Sequence, residues 1–246
     1  MPNTKRAKKP QFTTPRGVWK FPRLATADTK FKADGEYSVK VVLPKADAAK
    51  LIADLKPLHA AAVKAAPALF AELKPETRKK LKAKNGDKGY TVNPFYTEEV
   101  DEDEKPTGNV EFVFKMTASG EYKSGPKAGQ KWSRKPVMFN AKGEKINVNP
   151  WGGSEGKVTF EVGFMKDQET PGYFIPGTGA VGIKLGLEAV QILKLVQGGE
   201  RDASGYGFGQ EEGEDIDPST ETETQDAADD TAEGKDKPGA DDKEEF

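Results

Sequence analysis

Residues 181–195 read VGIKLGLEAVQILKL, and this stretch decides the fold. Apolar side chains occupy every second position of its first half: Val181, Ile183, Leu185 and Leu187. A period of two predicts a β-strand with one buried face. The apolar pattern continues to Leu195 with a change of phase, and Gly182 and Gly186 predict a bulge or a sharp bend. A long, strongly bent strand is what the closure of a small barrel requires.

Other segments repeat this period of two. Residues 16–43 hold two such strands, and further strands are expected at 110–116, 137–139 and 158–164. The total is roughly six strands. They do not alternate regularly with helices, which argues against a doubly wound parallel sheet. The sequence therefore predicts a mainly β fold, a small and partly open antiparallel barrel.

One helical insertion interrupts the strands at about 45–83. Leu51, Leu55 and Leu58 recur there at helical spacing in an alanine-rich setting. Pro57 is expected to kink or interrupt the helix, and Pro67 to end its first run. Residues 84–108 are interpreted as a loop that contains the acidic run at 98–104.

The charge distribution divides the chain after Gly199. Residues 1–199 hold 34 Lys and Arg against 22 Asp and Glu, a net charge of +12, whereas residues 200–246 hold 4 against 18, a net charge of −14. Such asymmetry indicates a polyanion-binding body with a regulatory or partner-binding tail.

Four regions are expected along the chain. Residues 1–15 are interpreted as a flexible basic arm, 16–199 as the barrel domain, 200–210 as a glycine-rich linker and 211–246 as a disordered acidic tail. The tail contains almost no large apolar residue, so it cannot bury enough surface to fold.

Composition excludes several classes of site. The chain has no cysteine and a single histidine, His59, which excludes disulfides, zinc-cysteine sites and multi-histidine metal sites. No cofactor is expected. No apolar run approaches the length of about 18 residues that a membrane span needs. The basic N-terminus lacks the apolar core of a secretory signal, so we expect an intracellular protein.

The segment 119–135, SGEYKSGPKAGQKWSRK, is the leading candidate site. It interleaves two aromatic rings with five cations: Tyr122, Lys123, Lys127, Lys131, Trp132, Arg134 and Lys135. Single-stranded nucleic acid needs both kinds of side chain, because cations neutralise phosphates and rings stack on unpaired bases. The alternative is an ordinary solvated hairpin whose rings fold back on the barrel.

Two further places carry candidate residues. Arg16 and Lys20 in the first strand region are expected to contact phosphate, and Trp19 to stack on a base. Trp19 and Phe21 share one face of a regular strand, and either face is a candidate for the core, so one or both rings can equally be core residues. Trp151, in the turn NPWGGSEG, is a second stacking candidate.

The acidic tail ends in an aromatic residue, Phe246, which follows Asp241, Asp242, Glu244 and Glu245. One interpretation is a solubility tail with an accidental last residue. The other is a partner motif, in which the carboxylates meet a basic patch and the ring fills a pocket.

Taken together, these segments resemble the replication single-stranded-DNA-binding proteins of tailed bacteriophages. The similarity is in the order of elements: residues 14–18, the strand 37–43 leading into a helix, the loop 122–135, the turn 151–154 and the stretch 181–199. The resemblance implies an elaborated OB-fold. It also implies single-stranded DNA as ligand, a tail that competes with DNA, and recruitment of the phage DNA polymerase and helicase/primase, with Phe246 as the matching terminal aromatic.

The sequence therefore predicts a non-enzymatic, sequence-tolerant single-stranded-DNA-binding protein for phage DNA replication, recombination and repair. Its expected location is the cytoplasm of the infected bacterial host. The oligomeric state stays open, with a homodimer as one arrangement. Two other classes are carried as alternatives: a metal-dependent nuclease that uses the acidic residues at 98–104 with Asp167 or Glu169, and a protein-interaction or DNA-mimic module whose tail is the active part.

Overall fold

The computed structural model describes residues 8–167 and 169–198. These residues form two helices and fourteen strands. The helices are α1 Lys45–Ala71 and α2 Pro75–Asn85. The strands are β1 Gln11–Thr13, β2 Gly17–Asp28, β3 Glu36–Pro44, β4 Thr91–Val92, β5 Thr97–Val100, β6 Pro106–Thr117, β7 Ser119–Glu121, β8 Lys131–Ser133, β9 Val137–Phe139, β10 Lys145–Ile146, β11 Glu155–Val162, β12 Tyr173–Ile175, β13 Ala180–Gly182 and β14 Leu185–Lys194.

A closed barrel of five strands is the centre of the fold. Its strands are hydrogen-bonded in the order β2–β3–β6–β14–β11, and β11 pairs with β2 to close the ring. All of these pairs are antiparallel except β6 with β14, which is parallel. This arrangement is an OB-type barrel with additions, which confirms the predicted fold class. The ring is closed rather than partly open.

The barrel interior is built from the alternating apolar positions of its strands. The side chains of β3 and β6 that point inward are almost fully buried: Tyr37, Val39, Val41, Leu43, Val110, Phe112, Phe114 and Met116. Burying each of the larger side chains contributes about 1.5–3 kcal/mol. The period of two therefore predicted correctly which side chains form the core.

The stretch 181–195 is two strands rather than one bent strand. β13 and β14 are separated by Ile183 and Lys184, and only β14 belongs to the barrel. The pairing of β14 with β11 shifts register twice, so β14 bulges at Glu188 and at Leu193 rather than at Gly182 or Gly186. The break lets the chain leave a small sheet of order β12–β13–β4 and enter the barrel.

Short strands occur in segments expected to be loops or arm. β1 pairs with β11, so the flexible-arm prediction is wrong for residues 11–13. β5 pairs with β6, and β4 pairs with β13, so 84–108 is not all loop. The segment 119–134 is a hairpin of β7 and β8. β1, β4 and β5 lack an alternating apolar pattern of their own and are held by hydrogen bonds to neighbours that have one, whereas β7 and β8 pair with each other.

The helical insertion is present, but its prolines act differently from the prediction. α1 runs through both Pro57 and Pro67 and ends at Ala71. An interior proline costs about 3 kcal/mol because it removes a backbone hydrogen bond. Tertiary packing offsets this cost, since Leu51, Leu55 and Phe70 are buried against the rest of the domain. No helix among residues 8–167 and 169–198 is long and apolar enough to cross a membrane.

Residues 1–7 and 199–246 lie outside the described residues. The linker at 200–210, the acidic tail at 211–246 and the tail residues Asp241, Asp242, Glu244, Glu245 and Phe246 belong to this part of the chain. The domain limits and the partner motif therefore stay predictions.

Candidate nucleic-acid interface

The outward face of β2, β3 and β6 carries rows of cations. Lys20 on β2 stands beside Lys40 on β3. In the next row Arg23 stands beside Ser38, which stands beside Lys115 on β6. These side chains occupy the positions that alternate with core residues, so the strand period that buries the apolar set also directs the cations outward. We call these outward positions of the three strands the sheet face.

Carboxylates already pair with several of these cations. Glu111 accepts hydrogen bonds from Lys20 at 2.9 Å and from Lys40 at 2.7 Å. Glu99, on β5, is a second partner of Lys20. Near the other end of the face, Glu36 pairs with Lys115 at 2.8 Å and also with Lys32. The sheet face is therefore a network of ion pairs rather than a row of free cations.

The pKa values of these groups follow from the pairing. Hydrogen bonds from Lys20, Asn109 and Thr107 lower the pKa of Glu99 to about 2. Burial alone would raise the pKa of Glu111, but hydrogen bonds from Lys40 and Lys20 outweigh it and hold that pKa below its ordinary value. Hydrogen bonds to Glu99 and Glu111 raise the pKa of Lys20. All three groups are therefore charged at neutral pH.

The hairpin of β7 and β8 presents its rings next to cations. Trp132 lies across from Gly120, where a β-carbon on the glycine would be 2.7 Å from the indole. The guanidinium of Arg134 is 5.4 Å from the centre of the Trp132 ring. Lys127 Nζ is 5.7 Å from the centre of the Tyr122 ring, and that side chain is 40% exposed. The rings and cations that alternate in the sequence of the hairpin therefore lie next to each other in space as cation–π pairs.

The loop between β2 and β3, residues 29–35, is bound to the base of this hairpin. The amide of Ala118 donates to the carbonyl of Gly35 at 2.9 Å, and that of Ser119 donates to the carbonyl of Asp34 at 3.0 Å. The loop displays Phe31, which is 86% exposed, with Lys30 Nζ 5.5 Å from the ring centre. A fully exposed phenylalanine next to a cluster of cations has the chemistry of a base-stacking platform.

Lys184 adds a cation at the start of β14. Desolvation lowers its pKa, and the nearby charges of Lys32, Lys115 and Arg134 act in the same direction, against Glu36. Four separate segments of the chain therefore bring cations together here. We call the loop 29–35, the hairpin 119–135, Lys115 and Lys184 the basic rim.

Most of the candidate residues from the sequence meet in the basic rim. Seven of them lie on or beside the β7–β8 hairpin: Tyr122, Lys123, Lys127, Lys131, Trp132, Arg134 and Lys135. Lys135 Nζ donates to Asn147 Oδ1 at 3.1 Å. Lys20 lies on the sheet face, where its ammonium group is held by Glu99 and Glu111. A phosphate at Lys20 would have to replace a carboxylate.

Arg16 and Trp151 lie at the opposite end of the barrel. β2 begins at Gly17 and reaches the basic rim only at Asp28, a strand length of about 35 Å. Arg16 is paired with Glu155 at 2.8 Å, and Lys194 with the same carboxylate at 3.2 Å. Trp151 is 54% exposed and contacts Gly198. These two residues are not part of one site with the hairpin.

The assignment of Trp19 as a stacking residue is wrong for this structure. Its side chain is completely buried, and it pairs with Val41 within the barrel. Its indole Nε1 is the one buried side-chain nitrogen or oxygen, among the described residues, without a hydrogen-bond partner. A ring enclosed by the core is not accessible to a base.

Phe21 does not share the face of Trp19, because β2 bulges between them. Phe21 and Pro22 stand opposite the single residue Val39, and Phe21 has φ +49°. The left-handed region costs a residue with a side chain about 1–2 kcal/mol, and glycine usually takes this bulge position. The bulge turns the ring outward, where it is 77% exposed. Phe21 therefore has a strained backbone without the burial of its side chain to offset the cost. Backbone outliers of this kind are concentrated at binding sites.

Sequence reasoning missed several residues of the interface. Arg23, Lys40 and Lys115 alternate with apolar positions that were correctly placed in the core, so the same period identifies them as outward. Phe31 and Lys184 had no comparable signal. Their importance depends on which loops and strand ends are neighbours, and a single sequence does not encode this as a local pattern.

Several acidic residues of the nuclease alternative are engaged in local structure. Glu98 pairs with Lys45 at 2.6 Å, and Glu99 belongs to the sheet-face network. Asp101 accepts the amides of Asp103 and Lys105. Asp167 caps a turn by accepting two amides and the Thr170 hydroxyl. Within residues 8–167 and 169–198, no three His, Asp or Glu side chains form a group able to hold a metal ion.

Comparison with solved structures identifies the fold. The chain is similar to gp2.5, a single-stranded DNA binding protein encoded by bacteriophage T7, with a TM-score of 0.54, 20% sequence identity, and coverage of 77% of this chain and 94% of that chain. The single-stranded DNA-binding protein of bacteriophage Enc34, truncated at its C-terminus, matches with a TM-score of 0.43 and 15% identity over 76% of this chain and 87% of that chain. The same Enc34 protein in complex with ssDNA matches with a TM-score of 0.42 and 15% identity over 76% and 88% of the two chains.

The resemblance seen in the sequence is therefore supported at the level of the fold, by the likeness to T7 gp2.5. No protein-family model matches the chain. No curated protein sequence matches it either.

Proposed function

We propose that this chain is a non-enzymatic, sequence-tolerant single-stranded-DNA-binding protein. The observation that carries the proposal is the basic rim, where exposed rings and cations from four segments meet at one end of a closed barrel. The fold shared with T7 gp2.5, itself a single-stranded DNA binding protein, supports the same function. Phage DNA replication, recombination and repair in the cytoplasm of the infected bacterial host is the setting that we propose.

Two kinds of contact hold the strand in this proposal. Phe31, Tyr122 and Trp132 stack on unpaired bases, and each such contact contributes about 1–3 kcal/mol. Lys123, Lys127 and Lys131 neutralise phosphates and release condensed counterions, which makes binding weaker as salt rises. Neither kind of contact reads a base edge, so binding tolerates any sequence.

In this proposal the sheet face extends the DNA-binding surface beyond the basic rim. Lys20, Lys40 and Lys115 on this face are already paired with carboxylates, so a phosphate gains little from them unless it replaces Glu111 or Glu36. Phe21, whose backbone φ is in the strained left-handed region, lies on β2 two residues before Arg23. We propose that DNA contacts this face through Phe21 and Arg23, that Lys20 serves mainly to fix β5 to the barrel through Glu99, and that Lys40 serves mainly to neutralise Glu111 on β6.

The tail is the second part of the proposal. Residues 200–246 carry a net charge of −14 on the same chain as a body of +12. Tethering gives such a segment an effective concentration on the order of millimolar near the body. We propose that the tail competes with DNA, and that it recruits the phage DNA polymerase and helicase/primase through Phe246 and its acidic neighbours when DNA displaces it. A homodimer is compatible with this scheme.

A fluorescence titration tests the function. Full-length protein is titrated with oligo-dT at two salt concentrations, and tryptophan emission is followed. Trp132 lies in the basic rim and is the expected reporter, whereas Trp19 is buried. We expect quenching on binding and a steep loss of affinity at the higher salt.

Three results would contradict the proposal in whole or in part. Failure to bind oligo-dT in low salt, both with and without residues 211–246, would favour the protein-interaction or DNA-mimic class. Loss of the oligonucleotide on incubation with Mg²⁺ would favour the nuclease. A binding constant indifferent to salt would remove phosphate neutralisation from the mechanism.

A further inference from the structure

α2 is a basic helix outside the basic rim. Residues 74–88 contain seven cations against Glu76 and Asp87, a net charge of +5. The cations are Lys74, Arg78, Lys79, Lys80, Lys82, Lys84 and Lys88. Leu81 is the one buried residue of α2, so most of its surface faces solvent.

The cations of α2 are unpaired, in contrast to those of the sheet face. Among the described residues, none of the seven takes part in an ion pair, whereas Lys20, Lys40 and Lys115 all do. Arg78 and Lys82, like Lys80 and Lys84, are like charges four positions apart, and such pairs destabilise a helix. The charge of α2 is therefore a cost to the free protein.

The helix dipole explains only part of this charge. Lys82 and Lys84 lie in the last turn, where a cation stabilises the negative end of the helix. Lys74, Arg78 and Lys79 lie at the first two turns, where the dipole disfavours a positive charge. Neither the helix dipole nor an ion pair among the described residues accounts for the cations at the helix start.

The C-terminal end of α2 is hydrogen-bonded to the side of the domain formed by the small sheet. Asn85 Nδ2 donates to the carbonyls of Gly89 and Thr178, at 3.3 and 2.8 Å. Gly89 has φ +70° and lies against the ring of Phe70, at the end of α1. Among the described residues, no hydrogen bond or ion pair joins α2 to the hairpin 119–135 or to the loop 29–35. The helix is a preformed surface of its own.

The surface fits a phosphate backbone rather than bases. Residues 74–88 contain no aromatic side chain to stack on a base. Cations four residues apart on the helix are about 6 Å apart along its axis, so they form a line of positive charge. A nucleic-acid strand carries one charge for every nucleotide and a layer of condensed counterions. The tail has 18 carboxylates in 47 residues, so its charge is sparser and it releases fewer counterions on binding.

We propose that α2 is a second, phosphate-only subsite, which takes the continuation of the single strand held at the basic rim. The proposal rests on the proposed function. It implies two segments of bound DNA with different chemistry: one stacked and charge-neutralised at the basic rim, and one bound at α2 through charge alone. Short strands then occupy the basic rim, and longer strands reach α2 as well.

The test compares oligonucleotide lengths in the full-length protein. The variant carries Lys79→Gln, Lys80→Gln, Lys82→Gln and Lys84→Gln, since glutamine has nearly the helix propensity of lysine. The matched control carries Lys56→Gln, Lys64→Gln, Lys142→Gln and Lys145→Gln, which removes the same charge from exposed positions elsewhere. The dependence of affinity on salt is measured for a length series from dT5 to dT40, and circular dichroism checks that both variants are folded.

We expect the α2 variant to bind dT5 with the same salt dependence as the control. With dT40 the slope of log K against log salt should be shallower than that of the control by about 0.7 for every phosphate that α2 no longer neutralises. Equal slopes for the two variants at every length would overturn the proposal for α2. The proposed function would still stand in that case, provided that the wild-type protein binds oligo-dT. Tighter binding of the α2 variant to dT40 would also overturn the proposal for α2, and would make the acidic tail the occupant of α2.

Discussion

At the scale of single residues, exposure rather than residue type separates the stacking candidates. Trp19 is entirely buried, whereas Phe31 is 86% and Phe21 77% exposed. A large apolar ring left in water has no role in the core, and in a cluster of cations it is available to a base. The most informative substitutions are therefore at Phe31 and Phe21, which the sequence analysis did not select as stacking residues.

Phe31→Ala should weaken oligo-dT binding by about 1–3 kcal/mol, because it removes one stacking platform. The free energy of unfolding should not change, since this side chain buries almost nothing. Equilibrium titration and urea unfolding measure the two quantities. Phe31→Leu keeps an apolar side chain without a ring, so it should bind oligo-dT as weakly as Phe31→Ala does. Wild-type affinity in Phe31→Ala would exclude the loop 29–35 from the stacked segment.

Gly156→Ala should destabilise the barrel by about 1–3 kcal/mol. A β-carbon there would be 2.1 Å from the carbonyl oxygen of Gln191 and 2.7 Å from the buried ring of Trp19. Gly163→Ala is the control, since a β-carbon at Gly163 has no atom within 4 Å. Thermal unfolding of both variants measures the difference in stability. Equal stability of the two would mean that β11 and β14 separate more easily than their packing implies.

At the scale of elements, the hairpin 119–135 and β5 divide the electrostatic roles. The hairpin cations Lys123, Lys127 and Lys131 make no ion pair with another described residue, so they are available to phosphate. The carboxylates of β5 hold Lys20 and Lys45 instead. One element displays charge to a ligand, and the other uses charge to fasten itself to the barrel.

Replacement of Lys123, Lys127 and Lys131 by glutamine should reduce the salt dependence of DNA binding. The slope of log K against log salt should become shallower by about 0.7 for every phosphate that the hairpin no longer neutralises. Lys56→Gln, Lys64→Gln and Lys142→Gln form a control of equal charge at exposed positions. Titration with dT5 at several salt concentrations measures the slopes. If both triple variants changed the slope equally, the hairpin would act only through the net charge of the domain.

Glu99→Gln should lower stability at neutral pH, and the difference from wild type should vanish in acid. The pKa of Glu99 is about 2, well below its ordinary value of 4.5. Its charged form therefore stabilises the fold fully above pH 4.5, and this contribution is lost as the pH falls from 4.5 towards 2. Urea unfolding of both proteins at pH 7, 4.5 and 3 follows the change.

Glu102→Gln is the control for this measurement. Glu102 is exposed, and no ion pair to it occurs among the described residues. Its replacement should leave stability unchanged at all three pH values. A Glu99→Gln effect of equal size at pH 7 and pH 3 would show that the amide loses packing or hydrogen bonds rather than charge.

At the scale of the whole molecule, the net charge of −2 is the sum of two opposed segments. The barrel domain supplies the cations of the basic rim, the sheet face and α2, and most of those on the sheet face are paired internally. The tail carries most of the uncompensated negative charge. The competition between the tail and DNA that we propose would therefore be a property of the full chain, which no single element could display.

Deletion of residues 211–246 should tighten oligo-dT binding, because it removes an intramolecular polyanion. The gain should be largest in low salt and should shrink as screening increases. The same deletion should abolish recruitment of the polymerase and helicase/primase. Titration of both proteins at about 50 mM and about 300 mM salt, and a pull-down with the partner proteins, measure these effects. Unchanged affinity at the lower salt would contradict competition by the tail.

The period of two was sufficient to predict the barrel, because burial on one face leaves a local signature in each strand. In the strands predicted within 16–43 and at 110–116 this pattern predicts one buried face, and Val39, Val41, Phe112 and Phe114 on that face are all buried. The interleaved rings and cations of 119–135 were likewise local, and this segment became the principal part of the basic rim. The local inferences that Pro67 ends the first run of the helix and that Pro57 interrupts it failed, since packing of α1 outweighed the cost of the prolines.

What the sequence by itself determined is therefore the set of inward and outward side chains, the hairpin with its charges, and the division into a basic body and an acidic tail. The tertiary structure alone decided which of these groups meet. Lys20 is held by Glu111, which is 91 residues away, instead of being free for phosphate, and Arg16 and Trp151 lie at the far end of the barrel from the hairpin. The physical reason is that periodicity records burial residue by residue, whereas ion pairs and the meeting of loops depend on strand order and register, which are fixed only when the barrel closes.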